Sequence, residues 1–205
     1  MIAQALGLGA AETAWILAIT AVALAVLGAG FAIRRVRPRL GLVAVVPVAA
    51  GALAALFDAG IAAPHPAYPP LLAIAFAALG VVGGYPLTVY MLGLGSTRSR
   101  DDQPGTHDAS DEGEHGGIVV TPEGSRTKRE VLRGGWVIGY LERIAVLAAI
   151  ALGRFEIVAA VIAVKGLGRF TELDSSVARE RFIIGTLTSL SWAAACGLLL
   201  AATLG

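Results

Sequence analysis

The chain has 205 residues, 56% hydrophobic and 15% charged, with a mean hydropathy of +0.74 and a formal net charge of +1. A soluble domain of this length carries about a quarter charged residues, and the charges here are clumped between long uncharged runs, which marks lipid-embedded segments rather than a water-soluble enzyme. A net charge so close to zero gives no general field for nucleic acid, and the single cysteine, Cys196, precludes an intramolecular disulfide.

The expected fold class is all-α, a polytopic transmembrane bundle of about six spans. The first span covers roughly Thr13 to Ile33. It contains no charge and ends at the basic cluster Arg34, Arg35, Arg37 and Arg39. No basic residue precedes Arg34, and the early charge is acidic, Glu12, so a cleavable signal peptide is not expected. The second span covers roughly Gly41 to Ala62, with Pro47 inside it, and the proline-rich turn from His65 to Pro70 follows. The third covers roughly Leu71 to Leu94 and is expected to kink at Pro86. Each has about 20 residues, enough for a hydrocarbon core of about 30 Å.

From about Ser96 to Gly134 the material changes to Asp, Glu, Gly, Ser, Thr, Lys and Arg, which reads as a mobile linker. Ile118-Val119-Val120 within it reads as a strand-like fragment. His107 and His115 lie there among Asp108, Asp111, Glu112 and Glu114, but their spacing matches no metal site. No metal or other cofactor is expected. A fourth span covers roughly Gly135 to Leu152, a tight turn follows at Gly153-Arg154, and a fifth covers roughly Phe155 to Leu167. After a polar turn with Asp174 or Ser175 as N-cap, the sixth covers roughly Phe182 to Leu204. The chain thus divides into residues 1–95, a three-helix block, 96–134, a cytoplasmic linker, and 135–205, a second three-helix block.

All of the 16 Lys and Arg residues except Arg143 and Arg154 fall after span one, in the linker, or between spans five and six. By the positive-inside rule these segments are cytoplasmic and both termini lie outside.

Glycine doublets such as Gly28-Ala29-Gly30 lack the strand–turn–helix context of a nucleotide loop. The run Gly80-Val81-Val82-Gly83-Gly84 has a GxxxG spacing suited to close helix contact. The hairpin of spans four and five holds intramembrane charge, which is costly and therefore paired, snorkelling or functional. Gly135, Gly139, Glu142, Val146, Ala149 and Gly153 share one helix face. Glu156, Ala159, Ala160, Ala163 and Gly166 form a similar small face on span five, and both faces are expected to pack on helices. Folding the hairpin about Gly153-Arg154 sets residue 142 level with residue 165, both about 17 Å from the turn. Glu142 and Lys165 are therefore the expected intramembrane ion pair, with Arg143 as a third member or as a group snorkelling to the cytoplasm beside Tyr140. Glu156 sits where a helix dipole favours an acid.

Three stretches carry a resemblance: Ile138-Gly139-Tyr140-Leu141-Glu142-Arg143, then Lys165-Gly166-Leu167-Gly168-Arg169-Phe170-Thr171-Glu172-Leu173, then Glu180-Arg181-Phe182-Ile183-Ile184-Gly185-Thr186-Leu187-Thr188-Ser189. The IGxLER, KxxxRFxEL and ERFIIGTLxS pattern they form resembles that of a family of uncharacterised bacterial, actinobacterial-type integral membrane proteins. A related block occurs in a second such family, whose acidic, histidine-bearing first-half helix is missing here. The resemblance implies a bacterial plasma membrane location and no specific activity. The expected function is a non-enzymatic membrane component, either an assembly subunit or a small transporter-like protein. The alternative is a membrane-embedded enzyme or binding protein for a lipid phosphate headgroup, held by Arg169, Glu172, Arg179, Glu180 and Arg181 with Lys165 and Asp174 nearby. Expected partners are membrane lipids and either another membrane protein or a second copy of the chain, with no nucleic acid.

Overall fold

The structure is a computed structural model that describes residues 9–35, 37–101, 119–120, 129–130, 135–169 and 175–205. The membrane-spanning architecture is all-α. In chain order the helices are α1 (Ala10–Arg34), α2 (Val45–Leu56), α3 (Tyr68–Asp101), α4 (Gly135–Ala151), α5 (Phe155–Arg169) and α6 (Ser176–Leu204), with a 3-10 helix (Pro38–Ala44) leading into α2. A two-residue ladder, β1 (Val119–Val120) with β2 (Arg129–Glu130), is antiparallel and pairs Val119 with Glu130 and Val120 with Arg129. The remainder of the expected linker, with His107 and His115, lies outside the described residues.

Local chemistry sets the helix ends. Glu12, in the first turn of α1, accepts from the Gly9 N–H at 3.2 Å, answering one of the donors that a helix start leaves unpaired. Ser175 caps α6, its hydroxyl accepting from the Ala178 N–H at 3.1 Å. At the end of α2 the Ala59 N–H reaches the Ala54 carbonyl at 2.9 Å, and Asp58 has a φ of 49°. This six-to-one closure with a left-handed residue stops the helix at Leu56. The second apolar segment therefore differs from the unbroken run to Ala62 that its hydropathy implies. It opens in 3-10 form, places Pro47 in the first turn of α2, where a missing N–H costs little, and ends six residues early. Gly153, with a φ of 65°, closes α4 in the same way: the Arg154 N–H donates to the Ala149 carbonyl at 2.7 Å. In the other direction, α3 runs past Leu94 into the expected linker, as far as Asp101.

Four apolar segments among the described residues are long enough to cross a bilayer: Ala10–Arg34, Arg39–Leu56, Tyr68–Leu94 and Ser176–Leu204. With 17 and 15 residues, α4 and α5 rise about 25 and 22 Å, short of a core of about 30 Å. The fold is thus a polytopic bundle with four clear spans plus a short helical hairpin.

α3 and α6 form the central contact, with α1 against α3 and α4 against both α3 and α6. Lipid tails are as apolar as leucine, so close packing rather than water exclusion drives these contacts. The α3 glycines permit it. A Cβ on Gly80 would meet Cys196 Cβ and Leu147 Cδ2 at 3.0 Å, and one on Gly83 would meet Trp192 Cζ2 at 2.9 Å. Leu79, Val146, Ala193 and Cys196 are fully buried at this junction. At the other end of α3, the Trp15 indole N–H donates to the Ile61 carbonyl at 3.0 Å and the Trp15 ring stacks on Tyr68 at 6.2 Å, tying the start of α1 to the turn before α3.

Candidate functional site

Successive residues on a helix point about 100° apart, so the neighbours Glu142 and Arg143 on α4 serve different partners. Glu142 turns to α5, where Lys165 donates to its Oε2 in a direct ion pair; the side chains are 10% and 20% exposed, respectively. The hairpin creates this contact because the Gly153 turn reverses the chain without adding residues, which keeps the equal-depth register.

Arg143 turns the other way. Its side chain is buried, with Nε donating to the Val81 carbonyl of α3 at 2.8 Å and Nη1 donating to Ser189 Oγ of α6 at 3.1 Å. The guanidinium carbon lies 4.8 Å from the centre of the Tyr140 ring, a cation–π distance. This corrects the snorkelling expectation: Arg143 is drawn into the bundle by an acceptor carbonyl and a hydroxyl. Glu142 attracts it electrostatically, but the direct hydrogen bonds of Arg143 go to Val81 and Ser189. Gly84 admits it, since a Cβ there would stand 2.6 Å from Arg143 Cδ. One turn away the Trp192 indole N–H donates to the Leu79 carbonyl at 3.1 Å. Two carbonyls of α3 thus accept side-chain donors from neighbouring helices beside glycines that leave them uncovered.

A second correction concerns α5. Glu156, Ala159, Ala160, Ala163 and Gly166 are exposed, and Val158, Val161 and Lys165 face inward instead. α5 packs mainly on α4, and the larger side chains of Val158, Val161 and Lys165 reach farther across that contact than Ala and Gly do. Glu156 stands in the first turn of α5 and pairs with Arg154 at 3.2 Å, both well exposed.

The expected headgroup residues are only partly described. Arg169 ends α5, Glu172 and Asp174 lie outside the described residues, and Arg179, Glu180 and Arg181 are exposed in the first turns of α6. They are not brought together with Glu142 or Arg143 in any described contact. Among the described residues no group of three or more His, Cys, Asp or Glu side chains converges.

No family model, curated protein or solved structure matches this chain. The residues around the hairpin therefore carry the functional reading by themselves. Ser189, Trp192 and the Val81 carbonyl, which complete the Arg143 environment, were not singled out by composition or spacing. Val81 lies in the Gly80–Gly84 run and Ser189 closes the third stretch of the resemblance, but neither signal marked what would enter the face.

Proposed function

We propose that the chain is a non-enzymatic component of a bacterial plasma membrane, and specifically a subunit that associates with another copy or another membrane protein through the α4–α5 hairpin. The observation that supports this reading is the arrangement of α5. It is clasped to α4 by Lys165 and Glu142 while its small-residue face, Ala159, Ala160, Ala163 and Gly166, looks away from the bundle. Small residues let a second helix approach closely in lipid. A clasp that neutralises both charges also allows a short helix to sit at the bundle edge without exposing a lone charge to hydrocarbon.

In this reading α4 and α5 complete six spans, with the local bilayer thinning that short helices impose, and both termini lie outside. The terminal orientation does not depend on full crossing, because the hairpin returns to the side on which it began. The C-terminal resemblance to uncharacterised bacterial membrane proteins fits the same assignment and adds no activity.

The test is cross-linking in native membranes. Ala163→Cys in a Cys196→Ala background should form a disulfide-linked species between chains, and Ala163→Leu should abolish association without lowering the melting temperature of the single chain. A chain that stays single in lipid nanodiscs at all concentrations would refute the assembly reading. The headgroup reading draws on exposed Arg179 and Arg181 at the capped start of α6. It predicts binding to phosphatidylglycerol over phosphatidylcholine that Arg179→Gln with Arg181→Gln removes.

A further inference from the structure

Among the described residues, Glu142 stands against two cations inside the bundle, Arg143 and Lys165. Glu142 is spent on Lys165, on the α5 side of α4. Arg143, on the opposite side, is 4% exposed and touches a carbonyl, a hydroxyl and a phenol ring, and the attraction it feels from Glu142 is shared with Lys165, so one carboxylate faces two cations. Its hydrogen bonds to described residues are made by Nε and Nη1. A buried cation with only a shared anion is costly in a membrane protein.

A second observation lies beside it. Thr186 Oγ1 is a buried side-chain oxygen without a hydrogen-bond partner among the described residues. Helix register sets its position. Arg143 meets Ser189, and Ile150 meets the Gly197 position at 3.2 Å, so α4 and α6 run parallel and in step. Thr186 precedes Ser189 by one turn on the same face of α6, level with Gly139 and Tyr140 on α4. Gly139 leaves room there: a Cβ on it would find only Arg143 Nη1 within 4 Å, at 3.6 Å. From α3, Thr88 closes the layer, its methyl 3.5 Å from the Gly185 Cβ position and its hydroxyl donating to the Gly84 carbonyl at 2.8 Å. The layer therefore combines one guanidinium that shares its carboxylate with Lys165, an unpartnered hydroxyl at Thr186, a second hydroxyl at Ser189 and glycines on three helices.

We propose that this layer, bounded by Arg143, Thr186 and Ser189, binds an oxyanion, a phosphate or carboxylate group, between α3, α4 and α6. The anion accepts from the Arg143 guanidinium and from the Thr186 hydroxyl and supplies the second negative charge that Arg143 and Lys165 together lack. A neutral water would answer the hydroxyl but not the charge. The same chemistry comes from two sources, a free anion or the headgroup of an anionic lipid. The site is separate from the outward face of α5, so its failure leaves the assembly reading standing.

The experiment measures thermal unfolding of the full chain in neutral detergent, with inorganic phosphate against gluconate at equal ionic strength. It is then repeated in nanodiscs of phosphatidylcholine with and without phosphatidylglycerol. Each variant is read as the rise over its own anion-free value. Phosphate well above its dissociation constant should raise the melting temperature by about 5 °C. Thr186→Val and Arg143→Lys should each cut that rise at least to about half, because one loses a donor and the other the planar fork. Thr203→Val, remote on α6 with its hydroxyl on the Leu199 carbonyl, should keep it whole. A rise with phosphate in detergent that Thr186→Val cuts to about half or less identifies a free anion. A rise confined to phosphatidylglycerol nanodiscs and lost in Thr186→Val identifies a headgroup. No rise in either setting, or equal rises in the native chain and Thr186→Val, overturns the proposal.

Discussion

The Arg143 side chain occupies the space that a side chain at Gly84 would need. A Cβ on Gly84 would lie 2.6 Å from Arg143 Cδ, 3.1 Å from Nε and 3.2 Å from Nη1. Arg143 cannot swing clear at no cost, because Nε is held by the Val81 carbonyl and Nη1 by Ser189. One missing methyl on α3 thus decides whether a cation from α4 can enter the bundle.

Gly84→Ala should therefore destabilise the protein by about 1–3 kcal/mol, the usual cost of overpacking. Gly139→Ala serves as the control. Its new methyl meets only Arg143 Nη1 at 3.6 Å, ordinary contact, and it gains helix propensity. Thermal unfolding in detergent compares the two, and equal melting temperatures would show that Arg143 does not rest on Gly84.

The Glu142–Lys165 clasp predicts coupled energetics. Glu142→Gln or Lys165→Met alone leaves a charge without its partner and should cost about 3 kcal/mol, near the lower end for a buried pair, since Lys165 remains 20% exposed. The double variant should regain part of that loss. A double-mutant cycle in which the two losses simply add would mean that the residues do not interact.

Trp192 joins a hydrogen bond to a packing role. Trp192→Phe loses the bond to the Leu79 carbonyl and should cost about 1 kcal/mol. Trp192→Ala also empties the volume against Gly83 and should cost about 3–5 kcal/mol. Equal costs for the two substitutions would assign the whole effect to the indole N–H.

Topology gives the fourth prediction. Single cysteines at Ala10, Ser110 and Gly205, each in a Cys196→Ala background, should react with an impermeant thiol reagent on intact cells at Ala10 and Gly205 but not at Ser110. The basic segments set this outcome. Cys196 is buried against the Gly80 backbone, so removing it leaves the labelled positions untouched. Labelling at Ser110 alone would invert the orientation.

The sequence by itself determined what depends on local rules. An N-cap at Asp174 or Ser175, the Gly153 turn and the constant rise of a helix are all read within a few residues, and the last two set residue 142 level with residue 165 without knowledge of any other helix. The same local reasoning could not choose the direction of Arg143, because its two hydrogen-bond acceptors, Val81 and Ser189, are 62 and 46 residues away in the chain. Nor could it choose which face of α5 turns inward: small and β-branched residues both suit helix contact, and the selection depends on the main neighbour that α5 meets. The break before Val45 belongs to the tertiary level as well, since the Gly41 backbone there lies against Pro86 of α3, too close for a side chain. Helical rise is a property of the backbone and is the same in every context, whereas the partner of a helix face is set by contacts between segments far apart in sequence, and these form only when the bundle closes.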